Sequence, residues 1–203
     1  MYNLLTGSLP TSVTIRGREF FAETDFRTMI ELEKLILDGG AGARERIERI
    51  MLLIYPDGIP SDLEAAFDGV LYIYSCGNPP DKSKSEAKKK KNGEVAIKEK
   101  LIYDYEFDAP YIYGAFLSQY GIDLQDVEYL HWWKFQALFK SLPSTQKIVE
   151  IMGYRATDTT QIKDNKERAR IQKLQSIYAL PQNLTTEEKV AMAGAAFSGG
   201  FRK

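Results

Sequence analysis

Apolar positions change period along this chain, and the change predicts its elements. Near the start, "SVTI" and "REFFAET" flank Arg16-Gly17. Two β-rich runs about a glycine-containing turn predict a hairpin, with Gly17 supplying the positive φ. From Thr24 the period becomes helical. Phe26, Met29, Ile30 and Ile36 recur on one face of "TDFRTMIELEKLILDGG", with Thr24 or Asp25 as N-cap and Gly39-Gly40 as the stop. Ile47, Ile50, Met51 and Ile54 fall at i, i+3, i+4 and i+7 ahead of Pro56 and predict a second helix. "SDLE" reads as a capping box in which Ser61 caps and Glu64 reaches back. It opens a third helix with the stripe Leu63, Ala66, Phe67, Val70, Leu71 and Tyr74, stopped by Gly77, Pro79 and Pro80.

The pattern then breaks. Residues 81–100 carry eight Lys against four acids, with almost no aromatic or branched apolar residue before Val95. Such a stretch reads as a solvated loop. Helical spacing resumes beyond it. Pro110 suits the first turn of a helix capped by Asp108 or Ala109. Ile112, Ala115, Phe116 and Tyr120 share its face, and Gly121 stands at the left-handed C-terminal position. Asp123 is placed to cap a helix running through "VEYLHWWKFQALFKSL", "STQKIVEIMG" predicts a short helix ending at Gly153, and "DNKERARIQKLQSIYALP" buries Ile171, Leu174 and Tyr178. "TTEEKVAMAGAAF" predicts a last weak helix. The resulting expectation is a mainly α protein, a multi-helix bundle with an N-terminal β-hairpin. Residues 1–78 hold the hairpin and first helices, 79–100 a Lys-rich flexible loop, 101–181 a helical part packing on the first to form one domain, and 182–203 a weakly ordered tail.

Composition narrows the class. Of 203 residues, 44% are hydrophobic and 27% charged, an ordinary globular balance, and the net charge of −1 gives no global basic field for nucleic acid. The single cysteine, Cys76, excludes an internal disulfide and makes a reducing cytoplasm the default. No apolar run approaches the roughly 18 residues of a membrane span. The start, "MYNLLTGSLPTS", lacks the basic and apolar regions of a signal peptide. A soluble intracellular protein is expected.

Few residues offer chemistry. One His and one Cys do not build a zinc site by themselves. Cys76 ends an apolar helix, an ordinary structural place. "GGAGA", 39–43, precedes a helix but follows no strand, so it reads as an interhelix turn and not a phosphate cradle. Asp104, Glu106 and Asp108 alternate, and Asp123, Asp126 and Glu128 lie close together. Such acids hold magnesium or do acid–base work, but Asp108 and Asp123 sit where carboxylates favour helix starts. The Lys run 88–91 lacks the interleaved aromatics of a nucleic-acid platform.

"LHWWKF", 130–135, concentrates what remains: the one His and both Trp. Leu130, Trp133, Ala137 and Leu138 define one helical face; Trp132, Phe135 and Phe139 define another. A helix apolar on most of its circumference is clasped by others or also meets a partner. His131, without Ser, Cys or a second His beside it, reads as satisfying a hydrogen bond at the core edge and not as a base. Asp25 and Arg155 read as structural, through charge-assisted hydrogen bonds.

The string "YDYEFDAPYIYGAFLSQYGIDL…LHWWKFQALFKSLP…IMGYR", with "TDFRTMI" after a hairpin and "LQSIYALP" near the end, resembles the phage gene-product-fifteen family of siphophages and prophages. The likeness covers most of residues 10–181, and "HWWKF" is its most specific part. It implies a non-enzymatic protein of the tail module without cofactor. It further implies a tail assembly chaperone that binds the tape measure protein and tail-tube subunits in the bacterial host cytoplasm, with homo-oligomerisation open and neither nucleic acid nor membrane as partner. The motif residues are Asp25, Phe26, Arg27, His131, Trp132, Trp133, Phe135, Tyr154 and Arg155. The alternative is a structural tail or connector component retained in the virion, and a third reading is a metal-dependent enzyme using the acids of 104–108 or 123–128. With 12 Tyr, an aromatic binding patch beyond the core is expected, including outward residues of 128–140.

Overall fold

The computed structural model describes residues 4–37, 43–78 and 101–180. The expectations for Gly39-Gly40, the "GGAGA" turn, the Lys-rich loop and the tail beyond 180 lie outside these residues. The described residues hold seven α-helices and one two-stranded sheet, a mainly α protein with an N-terminal hairpin. They group into two compact units. The first comprises the described residues up to 78 together with 127–138, and the second comprises 101–126 and 139–180.

In the first unit, β1 (Ser12–Ile15) and β2 (Arg18–Phe21) pair antiparallel, Ile15 opposite Arg18 and Ser12 opposite Phe21. Both turn residues are left-handed, Arg16 at φ 49° and Gly17 at φ 78°. That is the turn whose twist matches the strands. The Arg16 guanidinium reaches Asp62 at 2.6 Å.

Three helices follow: α1 (Phe26–Leu37), α2 (Ala43–Ile54) and α3 (Leu63–Tyr74). Phe26, Met29, Leu32, Ile50, Met51, Ile54, Ala66, Val70 and Ile73 are buried. Ile36, Ile47 and Leu63, expected on the buried faces, are exposed instead. Each lies in the first or last turn or two of its helix, where fewer neighbouring elements reach. The cap of α3 is Asp62, whose side chain accepts the Ala65 amide, and not Ser61.

Gly69 sits on the buried face of α3 because β1 and Tyr55 leave no room there. A Cβ at this position would lie 2.7 Å from a Val13 methyl and 2.8 Å from the Tyr55 hydroxyl. That hydroxyl donates to the Ala66 carbonyl at 2.7 Å, and burial pushes its pKa up to about 12. Gly69→Ala gains about 1 kcal/mol in helix propensity but incurs about 2–3 kcal/mol of overpacking at these two sub-contact distances, so a net loss of about 1–2 kcal/mol is expected. Thermal unfolding checks this, and an unchanged or raised Tm would show that Val13 and Tyr55 yield freely.

Helix α5 (Trp132–Lys140) starts later than the sequence pattern suggests. Residues 127–131 are not helical; Asp25 and His131 form an antiparallel bridge. The amide of Phe26 donates to Leu130 O at 3.0 Å and that of Trp132 to Thr24 O at 2.8 Å. These groups serve a partner distant in sequence instead of an i−4 ladder.

The second unit holds α4 (Ala109–Tyr120), α6 (Lys147–Ala156), a 3₁₀ turn (Thr159–Gln161) and α7 (Asn165–Ile177). Pro110 stands in the first turn of α4 and Gly121 ends it at φ 65°, as expected. Helix α6 does not stop at Gly153 but continues to Ala156, which places Tyr154 and Arg155 on the helix. Asp164 caps α7 by accepting the Glu167 amide. Ile171 and Tyr178 are buried, and Leu174 is half-buried.

Candidate functional site

The residues singled out by sequence fall into two groups. Asp25, Phe26, Arg27, His131, Trp132, Trp133 and Phe135 converge in the first unit, while Tyr154 and Arg155 lie in the second.

Asp25 stands before α1 and turns both carboxylate oxygens to work. Oδ1 accepts the Arg27 amide at 3.0 Å, an N-cap bond, and Oδ2 accepts the Leu130 amide at 3.0 Å, 105 positions away. Arg27 returns to the same carboxylate at 3.3 Å, and its Nη2 donates to Val127 O at 2.7 Å. "TDFR" is thus the seat of "LHWW". Three further residues support this seat. Glu23 accepts the amides of Thr24 and Asp25, and the Tyr129 hydroxyl lies 2.6 Å from that of Thr24.

Around this joint the rings stack in series. The Arg27 guanidinium lies 4.6 Å from the Phe26 ring centre, Phe26 stacks on Phe135 at 5.0 Å, Phe135 on Trp132 at 5.6 Å, and Trp132 on Tyr74 at 5.9 Å. Both Trp are buried, and their indole N–H groups take neighbouring acceptors at the end of α3. Trp132 Nε1 donates to Tyr74 O at 2.8 Å, and Trp133 Nε1 to Ile73 O at 2.7 Å. A helix leaves its last carbonyls without intrahelical partners, and the two adjacent indoles supply them. Neither ring faces outward.

His131 occupies the N-cap position of α5. Its Nδ1 accepts the Trp133 amide at 3.0 Å, so the ring proton sits on Nε2 and is donated to Pro10 O at 3.0 Å. Burial holds its pKa below the ordinary value, against the upward pull of the Pro10 carbonyl, and Lys134 adds to the lowering. A protonated ring would also point an N–H at the Trp133 N–H. The unfolded chain therefore takes up the proton first. The contribution is complete above the unfolded value near 6.5 and is lost as pH falls from there through the folded value, at up to about 1.4 kcal/mol per pH unit. Thermal melts from pH 7.5 to 5 should show a steeper fall for the native chain than for His131→Asn, which keeps a capping oxygen but does not titrate. Parallel curves would refute the assignment.

In the second unit Arg155 is 3% exposed and Asp108 0%. The guanidinium forks onto the carboxylate, Nη1 to Oδ2 at 2.6 Å and Nη2 to Oδ1 at 2.9 Å. Two further donors reach Tyr178 O at 2.6 Å and Ile102 O at 3.1 Å. Asp108 Oδ2 also accepts the Asp104 amide at 3.0 Å. Asp108 occupies the cap position of α4 but makes no side-chain cap bond; its charge serves Arg155. Tyr154, half-buried, stacks with Tyr178 at 6.2 Å.

Two of the other acids are locally engaged. Asp104 Oδ1 accepts the amides of Glu106 and Phe107, and Asp123 accepts the Gln125 amide and the Tyr113 hydroxyl. Asp123 thus closes a turn and caps no helix. Among the described residues, no three of the His, Cys, Asp and Glu side chains gather as a metal-holding group, and no helix is long and apolar enough to cross a membrane. Cys76, at φ 54°, belongs to the left-handed turn that ends α3.

No curated protein and no solved structure matches the chain. A family model described as "Bacteriophage Gp15 protein" matches residues 5–180, which spans both the "TDFR"–"LHWW" joint and the Arg155–Asp108 pair. The chain belongs to this bacteriophage Gp15 protein family.

Proposed function

We propose that this phage protein acts by binding other polypeptides during tail assembly, as a chaperone for the tape measure protein and its tail-tube subunits in the host cytoplasm, with no chemistry of its own. The observation that supports this reading is how the residues are used. The charged and aromatic side chains that stand out in sequence serve the two cores, while large apolar residues elsewhere face outward. Leu52 is 58% exposed and Leu63 53%. In segment 128–140 only Tyr129 among the aromatic residues is exposed, at 48%. A binding surface would therefore lie outside "HWWKF".

Long apolar helical chains aggregate alone, and exposed apolar side chains on a soluble partner keep them dispersed. Co-expression with the tape measure protein of the same phage tests the proposal: a larger soluble fraction of that protein is expected. Equal insolubility with and without this chain would end the chaperone reading. A stoichiometric signal in mass spectra of purified virions would mark a retained structural component instead.

A further inference from the structure

We draw no further inference here: the strongest candidate, the apolar surface stripe along α3 formed by exposed Leu63 and half-buried Phe67 and Leu71, carries nothing because nothing in the structure shows what covers it.

Discussion

Arg155→Ala is expected to destabilise the protein by about 3–5 kcal/mol, because it strands a buried carboxylate. Asp108 is fully buried and receives two guanidinium bonds, at 2.6 and 2.9 Å. Without them it must stay charged in a poor solvent or take up a proton. The carbonyls of Tyr178 and Ile102 lose donors in the same step. These two carbonyls and Asp108 come from three separate stretches of chain, so the guanidinium ties together the start of α4, the segment before it and the end of α7. Urea unfolding followed by far-UV circular dichroism measures the loss, and a change under about 1 kcal/mol would show that water replaces the side chain. The double variant Arg155→Met with Asp108→Leu should recover part of the loss, since no uncompensated charge remains, while the carbonyls of Tyr178 and Ile102 and the Asp104 amide still lose these partners.

Trp132→Ala should cost a comparable amount, about 3–5 kcal/mol, for a different reason. The ring is buried between Phe135 and Tyr74, so truncation leaves a cavity in the middle of the stacked series. It also removes the donor to Tyr74 O. Trp132→Phe separates the two contributions: most of the ring stays, the N–H goes, and a loss of about 1–3 kcal/mol is expected. If Trp132→Phe proves neutral while Trp132→Ala remains severe, packing alone holds the residue and the carbonyl of Tyr74 finds water. Tryptophan fluorescence and urea titration follow both variants.

Several features of the fold were legible because they depend on neighbours along the chain. A left-handed turn at Gly17, a first-turn position at Pro110 (the second helical residue, one after the expected first) and a left-handed stop at Gly121 are local conformational requirements, and each stands within one residue of where the pattern put it. The apolar nature of α5 on nearly all sides was also readable, and Trp132, Trp133, Phe135 and Phe139 are all buried. Asp25 and Arg155 both read from sequence as structural residues making charge-assisted hydrogen bonds, and both make them.

What was not legible depends on groups far along the chain, from 47 to more than a hundred positions away. Nothing near Tyr129 to His131 announces an extended path; only the pairing with Thr24 to Phe26 draws it out of the helix. His131 is a cap because Trp132 begins the helix, and the helix begins there because Thr24 takes the Trp132 amide. Asp108 looked like a helix cap from sequence, and its commitment to Arg155, 47 positions on, shows in no local signal.

The sequence by itself therefore determined the family, the mainly helical class, the hairpin and the apolar character of "HWWKF", since backbone sterics and apolar period are properties of short stretches. Tertiary structure alone decided that "TDFR" seats "LHWW", that both indoles close the end of α3 and that Asp108 belongs to Arg155. Those pairings satisfy buried polar groups, and a buried donor takes whichever acceptor the fold brings to it, however distant in the chain.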